Sequence, residues 1–325
     1  MSRKENNNKL AIVIPAYKAC FLRQTLDSIS RQTDKCSKVY IGDDASPDDL
    51  KEICDEFAQK LDLVYTRFDK NLGGSSLVGH WNRCIEMSSE PWVWLFCDDD
   101  IMGPECVEMF HKTIEREKDK YRVLRFNTLI IDDKDEVIRI NPPHPLTETV
   151  AQFIYHRLQY ERSSYVSEYI FSRESYLENK GMIDFPMAWC SDDASWVAFP
   201  NKNGIFTIPG PYVRWRQSSQ NISPSGAKYQ IDRIEAAFRF VNWLDDFIKT
   251  KGTGSQYVTI DMIKHLSKDW FTRQIRCVAP IRLSNYLKFS RYIRCATDKG
   301  WLLSYIYLLK SNLIFYLNKV SITKK

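Results

Sequence analysis

Three consecutive carboxylates, Asp98, Asp99 and Asp100, follow the apolar run 92–97 and form what we call the acidic triplet. The run has the length and the aromatic and β-branched content of a buried strand, so the acids should lie at its C-terminal end. Adjacent negative charges repel one another, by roughly 4 kcal/mol per pair at about 4 Å in a surface-like dielectric. A divalent cation that prefers oxygen ligands would remove this repulsion, and a diphosphate would complete its coordination. The alternative is a solvated turn that caps a helix beginning at Pro104.

Two further pairs of acidic residues lie at the predicted end of a strand and at the predicted start of a helix. Asp43 and Asp44 directly follow the apolar segment 39–41, which predicts a strand. Asp192 and Asp193 lie in a segment that predicts the start of a helix, where negative charge is favourable. Because the carboxyl ends of parallel strands share one edge of a sheet, Asp43, Asp44 and the acidic triplet should lie close together.

The hydrophobic pattern alternates between short strands and amphipathic helices through the first 120 residues. This alternation predicts a Rossmann-like, mostly parallel sheet that is flanked by helices. From about residue 121 the pattern changes to a second group of strands, then to a polar, Arg-bearing loop over 212–221, and beyond residue 225 to helices. The predicted strands cover 9–14, 39–41, 63–65, 92–97, 123–126, 129–131, 137–140 and 204–208.

Composition and charge narrow the class of protein. A chain of 325 residues that is 44% hydrophobic can bury the core of one large domain or two modest ones. Nine cysteines, an odd number without CxxC pairs, favour reduced thiols in the cytoplasm over disulfides. The first nine residues are polar, so the sequence predicts no secretory signal. Residues 261–325 hold 13 Lys and Arg against three Asp, a net charge of +10, which favours an anionic partner over a merely solvated face.

Four segments occur in the order and spacing that is typical of a known enzyme family. Residues 1 to about 220 resemble the family 2 glycosyltransferases of the GT-A fold, and the remaining residues do not share this resemblance. The resemblance implies an α/β GT-A domain with a Rossmann-like, mostly parallel central sheet flanked by helices and followed by a C-terminal helical extension. The segments that carry it are 14–17 (IPAY), 42–48 (GDDASPD), 71–74 (NLGG) with 81–83 (WNR), and 96–101 (FCDDDI).

The resemblance also divides the chain into parts with different expected roles. A nucleotide-sugar-binding half should precede an acceptor-binding half, and a basic helical extension should follow both. The expected boundaries are 1–8 for a disordered start, 9–120 and 121–224 for the two halves, and 225–325 for the extension.

A sugar-nucleotide donor is the first implication of the resemblance. Asp43, or alternatively Asp44, would accept a hydrogen bond from the base. A carboxylate can only accept hydrogen bonds, which suits the N3–H of uracil or thymine, or the guanine edge. The donor-binding residues that the resemblance implies are Pro15, Ala16, Tyr17, Asp43, Asp44, Asn71, Gly73, Asp98, Arg214 and Arg216.

The resemblance assigns the acidic triplet to a metal and to the donor. Asp98 would contact the ribose or the outer shell of the metal, and Asp99 or Asp100 would bind Mn²⁺ or Mg²⁺. The usual D-x-D-D pattern of the family would need an acid where Cys97 stands. Both choices of ligand, Asp99 and Asp100, are therefore kept.

The second half should supply the reacting groups. Asp193 would be the catalytic base that takes the proton of the acceptor hydroxyl, with Trp189 and Asp192 on the acceptor side. For Asp192 a helix N-cap is the alternative. Arg214 or Arg216 would stabilise the charge that develops on the leaving diphosphate.

These implications define an inverting, metal-dependent, hexosyl-type glycosyltransferase. Its acceptor would be a glycan or polyprenyl-linked hydroxyl in surface-polysaccharide synthesis. Residues 261–325 would contact the inner face of the cytoplasmic membrane; the alternatives are that they pack on the domain as a lid or form a dimer. No nucleic-acid partner is expected. One alternative is a catalytically silent assembly subunit. A sugar-phosphate nucleotidyltransferase is disfavoured because segment 15–18 lacks the glycines that would cradle a triphosphate, and a dehydrogenase is disfavoured because GxGxxG is absent.

Overall fold

The computed structural model describes residues 9–35, 37–118, 120–218, 229–252, 255–297 and 299–322. The predicted disordered start over 1–8 and the expected boundary at 224/225 lie outside the described residues.

The described elements alternate between strands and helices up to residue 216 and are helical beyond residue 229. The strands are β1 (Leu10–Ala16), β2 (Lys38–Asp43), β3 (Leu63–Arg67), β4 (Trp92–Leu95), β5 (Ile101–Met102), β6 (Val123–Ile131), β7 (Val137–Ile140), β8 (Thr147–Glu148), β9 (Tyr169–Ser172) and β10 (Ile205–Arg216). The helices are α1 (Leu22–Ser30), α2 (Leu50–Asp55), α3 (Leu77–Ile85), α4 (Cys106–Glu117), α5 (Val150–Leu158), α6 (Arg173–Glu178), α7 (Ser191–Ala198), α8 (Gln230–Lys251), α9 (Ile260–Cys277), α10 (Tyr286–Thr297) and α11 (Trp301–Ile322).

All ten strands belong to one mixed sheet, whose main order is β3-β2-β1-β4-β9-β6-β10-β5. Strands β3, β2, β1 and β4 run parallel to one another, and β6 runs parallel to β10. Strand β9 joins these two groups because it pairs antiparallel with both β4 and β6. The two predicted halves of the domain therefore contribute to a single sheet.

Each face of the sheet is covered by helices. Side chains alternate along a strand, so Ala11 and Val13 face one layer while Ile12 and Ile14 face the other, and all four are fully buried. One layer contains α1, α2 and α4, and the other contains α3, α5 and α7 to α10. Near-continuous apolar strands such as 10–14 are typical of a sheet that is buried on both sides.

Two sequence-based predictions are wrong in this region. Segments 123–126 and 129–131 were expected as separate strands, but they form the single strand β6. The polar loop expected from 212 begins later, because 212–216 continues β10 beside β6 beyond an irregularity between Thr207 and Tyr212. The polar composition of this segment suggested solvent, whereas its backbone hydrogen bonds to a neighbouring strand decided its conformation.

The helices beyond residue 229 pack on the domain rather than standing apart from it. Ile234, Leu244, Ile263, Phe271 and Ile293 are all buried in the same core as α5 and α7. Within the described ranges, no helix combines the length and the hydrophobicity that spanning a bilayer requires.

Candidate active site

Strands β1, β2 and β4 end at one edge of the sheet, and direct hydrogen bonds join the segments that follow them. The backbone N–H of Asp44 donates to the carbonyl of Ala16 (2.9 Å). A carboxylate oxygen of Asp98 accepts from the backbone N–H groups of Tyr17 (2.9 Å) and Lys18 (3.2 Å). The prediction that the acids after β2 and β4 share one edge is confirmed.

Asp43 is fully buried at the end of β2, and its carboxylate is held by three donors. It accepts from the backbone N–H of Ser46 (2.8 Å), from Arg67 (2.6 Å) and from the hydroxyl of Tyr65. Arg67 and Tyr65 belong to β3, whose end lies at the same edge. The position of Arg67 could have been read from the sequence, since it follows a strand parallel to β2.

Asp44 holds the glycine-containing loop at 71–74 against the sheet. Its carboxylate accepts from the backbone N–H groups of Leu72 (2.7 Å) and Gly73 (2.8 Å), and it forms an ion pair with Arg83 of α3. A Cβ atom at residue 73 would lie 2.7 Å from a carboxylate oxygen of Asp44, so only glycine allows this close approach. Asn71 donates to the backbone carbonyl of Asp44 (3.1 Å). Asp44 therefore acts as the anchor of this loop.

The carboxylates of the acidic triplet receive fewer hydrogen bonds than those of Asp43 and Asp44. Asp100 is buried and accepts from the hydroxyl of Ser167 (2.5 Å) and from the backbone N–H of Arg216 (2.8 Å). Asp99 is partly exposed, and within the described ranges its carboxylate has no hydrogen-bond partner. No described Lys, Arg or His forms an ion pair with any of the three carboxylates.

Burial and mutual repulsion change the ionisation of the triplet. Burial, followed by the charges of Asp100 and Asp98, raises the pKa of Asp99 to about 8. Burial also raises the pKa of Asp100 to about 6, although the hydrogen bond from Ser167 acts in the opposite direction. Burial raises the pKa of Asp98 as well. Such shifts record the cost of holding several negative charges in a partly desolvated place.

The residues around the triplet fit a divalent cation. Cys97 Sγ and one carboxylate oxygen each of Asp99 and Asp100 all lie within 4.8 Å of one another. Carboxylate oxygens are the ligands that Mn²⁺ and Mg²⁺ prefer, and a cation here would remove the repulsion between them. Cys97 stands where the family pattern would have an acid, and its thiol adds a softer donor to the set.

The two arginines expected near the diphosphate have different surroundings. Arg216 is fully buried, donates to the backbone carbonyls of Asp99 (2.7 Å) and Asp132 (2.7 Å), and lies over the ring of Phe21 (4.2 Å). Its guanidinium therefore supports the backbone of the triplet. Arg214 is partly exposed, lies two residues earlier on the same face of β10, and has no ion pair or hydrogen bond with its side chain in the described part of the chain.

The second acid pair lies in the first turn of α7, as the sequence predicted. Asp193 is buried and forms a two-pronged ion pair with Arg157 of α5, at 3.0 and 2.6 Å. Asp192 is partly exposed and forms no ion pair with any described residue. Burial, followed by the charge of Asp193, raises the pKa of Asp192 to about 7. The indole of Trp189, just before the helix, is covered by the guanidinium of Arg233 at 4.1 Å.

Residues 165–169 connect the two acidic regions. The hydroxyl of Ser167 binds Asp100 and also accepts from the backbone N–H of Cys97 (3.0 Å). Two residues later, the ring of Tyr169 stacks on Trp196 of α7 at 4.4 Å. The triplet and the pair on α7 therefore share one supporting segment. Sequence reasoning missed Ser167 and Arg157, because neither residue stands in a recognisable motif.

Comparisons with known proteins agree on the type of domain. Residues 11–165 match the model of the family described as "Glycosyl transferase family 2". Glycosyltransferase GlyG of Streptococcus pneumoniae is 26% identical over 111 residues, which are 34% of this chain and 36% of that protein's length.

Two solved structures show the same fold over most of the chain. S. aureus TarS in complex with UDP-GlcNAc is 15% identical, has a TM-score of 0.68, and the match covers 94% of this chain and 89% of that one. The mannosyltransferase PcManGT from Pyrobaculum calidifontis, in complex with GDP-Man and Mn²⁺, is 14% identical with a TM-score of 0.51 and coverages of 94% and 86%. The predicted GT-A fold with a C-terminal helical extension is confirmed.

Proposed function

The chain belongs to glycosyl transferase family 2 through residues 11–165, and from this premise we propose that it transfers a hexosyl group from a nucleotide-diphosphate donor to a hydroxyl acceptor with inversion. The observation that supports this most directly is the set of acids at the carboxyl edge of β1, β2 and β4. Ligands of open α/β sheets bind at this edge. The similar structures hold UDP-GlcNAc in one case and GDP-Man in the other.

The donor would lie along the loops that follow β1 and β2. Pro15, Ala16 and Tyr17 would form one wall of the donor pocket, and Gly73 of the loop anchored by Asp44 would form another. Asp43 is fully buried and accepts three hydrogen bonds from the protein, so its contact with the base stays a prediction. The backbone N–H groups of Tyr17 and Lys18 fix the orientation of Asp98, which would contact the ribose or the metal.

A divalent cation, Mn²⁺ or Mg²⁺, would be held by Asp99 and Asp100. When bound, it would neutralise the negative charge that develops on the leaving diphosphate. Arg214 would contribute positive charge from the same side, because its side chain has no partner in the described ranges that would compete. Arg216 would hold the backbone of the triplet in place.

The acid pair on α7 would supply the base. The acceptor oxygen would attack the anomeric carbon, the bond from that carbon to the diphosphate oxygen would break, and the acceptor proton would pass to a carboxylate. General-base help of this kind is worth about 10²–10⁴-fold in rate.

The assignment of the base to Asp193 stays a prediction, and the geometry favours its neighbour. Both carboxylate oxygens of Asp193 are occupied by the ion pair with Arg157, which leaves the acceptor hydroxyl less room to reach them. Asp192 is partly exposed and its pKa of about 7 suits proton transfer near neutral pH. We therefore propose Asp192 as the proton acceptor, with Asp193 and Arg157 setting its environment.

Two isosteric variants test this assignment, because each removes one carboxylate charge and leaves the donor site intact. In Asp192→Asn we expect the transfer rate to fall by about 10²–10⁴-fold, while donor binding measured by calorimetry stays unchanged. In wild type the rate should rise with pH through about 7, because only the ionised Asp192 accepts a proton. An active Asp192→Asn variant together with an inactive Asp193→Asn variant would return the base to Asp193.

The acceptor would be a glycan or a polyprenyl-linked sugar on the inner face of the cytoplasmic membrane. A screen of nucleotide sugars by thermal shift, with Mg²⁺ or EDTA, followed by detection of nucleoside diphosphate release, tests the enzyme class. Release of nucleoside diphosphate from any donor would exclude the silent assembly subunit. Donor binding without release across the whole screen, with glycan and polyprenyl-linked acceptors present, would support that subunit instead.

A further inference from the structure

Helix α11 presents most of its large apolar side chains outward, whereas Ser304, Ser311 and Leu308 face inward. The side chains of Ser304, Leu308 and Ser311 are buried against the domain, with Ser304 completely inaccessible. On the opposite side, Leu302 is 74% exposed and Leu313 is 58% exposed. An ordinary surface helix has the reverse arrangement. The exposed large apolar residues of this helix are Trp301, Leu302, Leu303, Leu309, Leu313, Ile314, Tyr316 and Leu317.

Specific hydrogen bonds hold α11 in this orientation. The side-chain amide of Asn312 donates to the carbonyl of Ile281 (2.8 Å) and accepts from its N–H (2.7 Å). The hydroxyl of Tyr307 donates to the carbonyl of Thr272 in α9 (2.6 Å). The buried hydroxyl of Ser304 is satisfied within the helix, by the carbonyl of Gly300 (3.0 Å). Rotating the helix to turn the leucines inward would break these hydrogen bonds, so the fold itself fixes which side of α11 faces outward.

The outward face is continuous along the helix. Leu302, Ile306, Leu309 and Leu313 follow one another at spacings of three and four residues, which places them on one side. Only Lys310 interrupts the charge-free surface between residues 301 and 317. A contiguous row of exposed large apolar side chains is uncommon on monomeric soluble proteins and marks an interaction site.

The charge around this face identifies what would cover it. Segment 261–325 has a net charge of +10, and Arg282, Arg291 and Lys310 are exposed on or beside the pair α10 and α11. A second copy of the chain would bring the same positive charge to the contact, which disfavours self-association. A lipid bilayer with anionic headgroups would offer both an apolar layer and the opposite charge.

Aromatic residues are placed as a bilayer interface would require. Trp301 lies at the start of α11 with the guanidinium of Arg294 stacked over its ring (4.1 Å), and Tyr316 lies exposed near its other end. Amphipathic rings and cationic side chains favour the headgroup level of a membrane. We propose that α11 lies in the plane of an anionic bilayer, with its leucines in the boundary between headgroups and acyl chains.

This surface would hold the proposed active site next to a membrane-bound acceptor, but it can be tested without any transfer reaction. The full chain is mixed with liposomes of phosphatidylglycerol and phosphatidylcholine and then floated through a density gradient. We expect wild-type protein to float with these liposomes and to bind more weakly at high salt, because salt screens the attraction between charges but not the burial of the leucines. Liposomes of phosphatidylcholine alone should bind more weakly.

A pair of matched double variants separates the apolar face from general surface hydrophobicity. In Leu309→Ser with Leu313→Ser we expect the partition coefficient to fall about 100-fold, about tenfold for each leucine removed from the bilayer. The control is Leu146→Ser with Leu177→Ser, which removes two leucines of similar exposure (57% and 63%) outside α11 and should leave flotation unchanged. Circular dichroism and gel filtration confirm that both variants are folded.

Two outcomes would overturn the proposal. One is wild-type protein that does not float with anionic liposomes, or that floats as well after the α11 substitutions. The other is a dimer in lipid-free solution that Leu309→Ser with Leu313→Ser dissociates while flotation stays unchanged, which would assign the face to a second copy. Transfer activity could be present or absent in either case, so these results are distinct from a failure of the proposed reaction.

Discussion

Asp43 and Asp44 each form an ion pair with an arginine of the protein. Asp99 and Asp100, at the same edge of the sheet, form no ion pair with any described residue. Arg67 and Arg83 each form an ion pair with one acid of the first pair. In the second group Asp100 receives hydrogen bonds from the hydroxyl of Ser167 and from the backbone N–H of Arg216, but neither acid forms an ion pair within the described ranges. Neutralised acids of the first kind hold loops in place. Acids of the second kind have no ion-pairing side chain among the described residues, at a point where a cation from solution could bind them in their ionised form.

The strongest test of this contrast removes one carboxylate of the triplet. In Asp99→Asn we expect the Mg²⁺- or Mn²⁺-dependent increase in melting temperature to disappear and the transfer rate to fall by roughly 100-fold or more, since metal stabilisation of a leaving group is worth several kcal/mol. Because Asp99 accepts no hydrogen bond from a described residue, the variant should be at least as stable as wild type without metal. A full metal-induced shift in this variant would remove the triplet as the metal site.

Breaking a matched pair should instead lower stability. In Arg83→Met the buried carboxylate of Asp44 loses its cation, and we expect the free energy of unfolding to fall by about 3 kcal/mol. Chemical denaturation measures this change. The control is Arg23→Met, which breaks the exposed pair with Glu56 and should leave stability unchanged. Equal effects of the two substitutions would contradict the contrast between matched and unmatched acids.

The pH dependence of metal binding should follow from the raised pKa values of Asp99 (about 8) and Asp100 (about 6). Both values lie above those of an unfolded chain, so the metal-free folded state binds more protons and its stability should fall as pH rises from about 4 to about 8. A cation binds the ionised carboxylates, so the increase in melting temperature caused by Mg²⁺ should be larger at pH 8 than at pH 6. An equal increase at both pH values would argue against these acids as ligands.

The smallest effect concerns the thiol beside the carboxylates. If Cys97 contributes a soft donor, Co²⁺ should produce a sulfur-to-metal absorption band in the near ultraviolet, and Cys97→Ser should remove that band while binding Mg²⁺ within a few-fold of wild type. The control is Cys20→Ser, which changes an exposed cysteine that is not part of this ligand set. A band that survives in Cys97→Ser and disappears in Cys20→Ser would exclude Cys97 from the set.

The sequence by itself determined the elements of the donor half and the edge at which the acids meet. Apolar runs such as 10–14 and 92–95 encode buried strands through their own composition. A helix between consecutive strands of this kind makes the strands run parallel, so Asp43, Asp44 and Asp98 were expected to follow strand ends at one edge. These are local properties that one strand and its connection specify.

Only the tertiary structure decided which acids form ion pairs with arginines and which do not. Arg216 reaches the carbonyl of Asp99 across 117 positions of sequence, and Ser167 reaches Asp100 across 67. Helix α11 is apolar on several sides, so its sequence does not specify which side faces the domain. The hydrogen bonds between Asn312 and Ile281 determine that side. Such choices depend on groups that are distant along the chain and adjacent only after folding, so no local pattern encodes them.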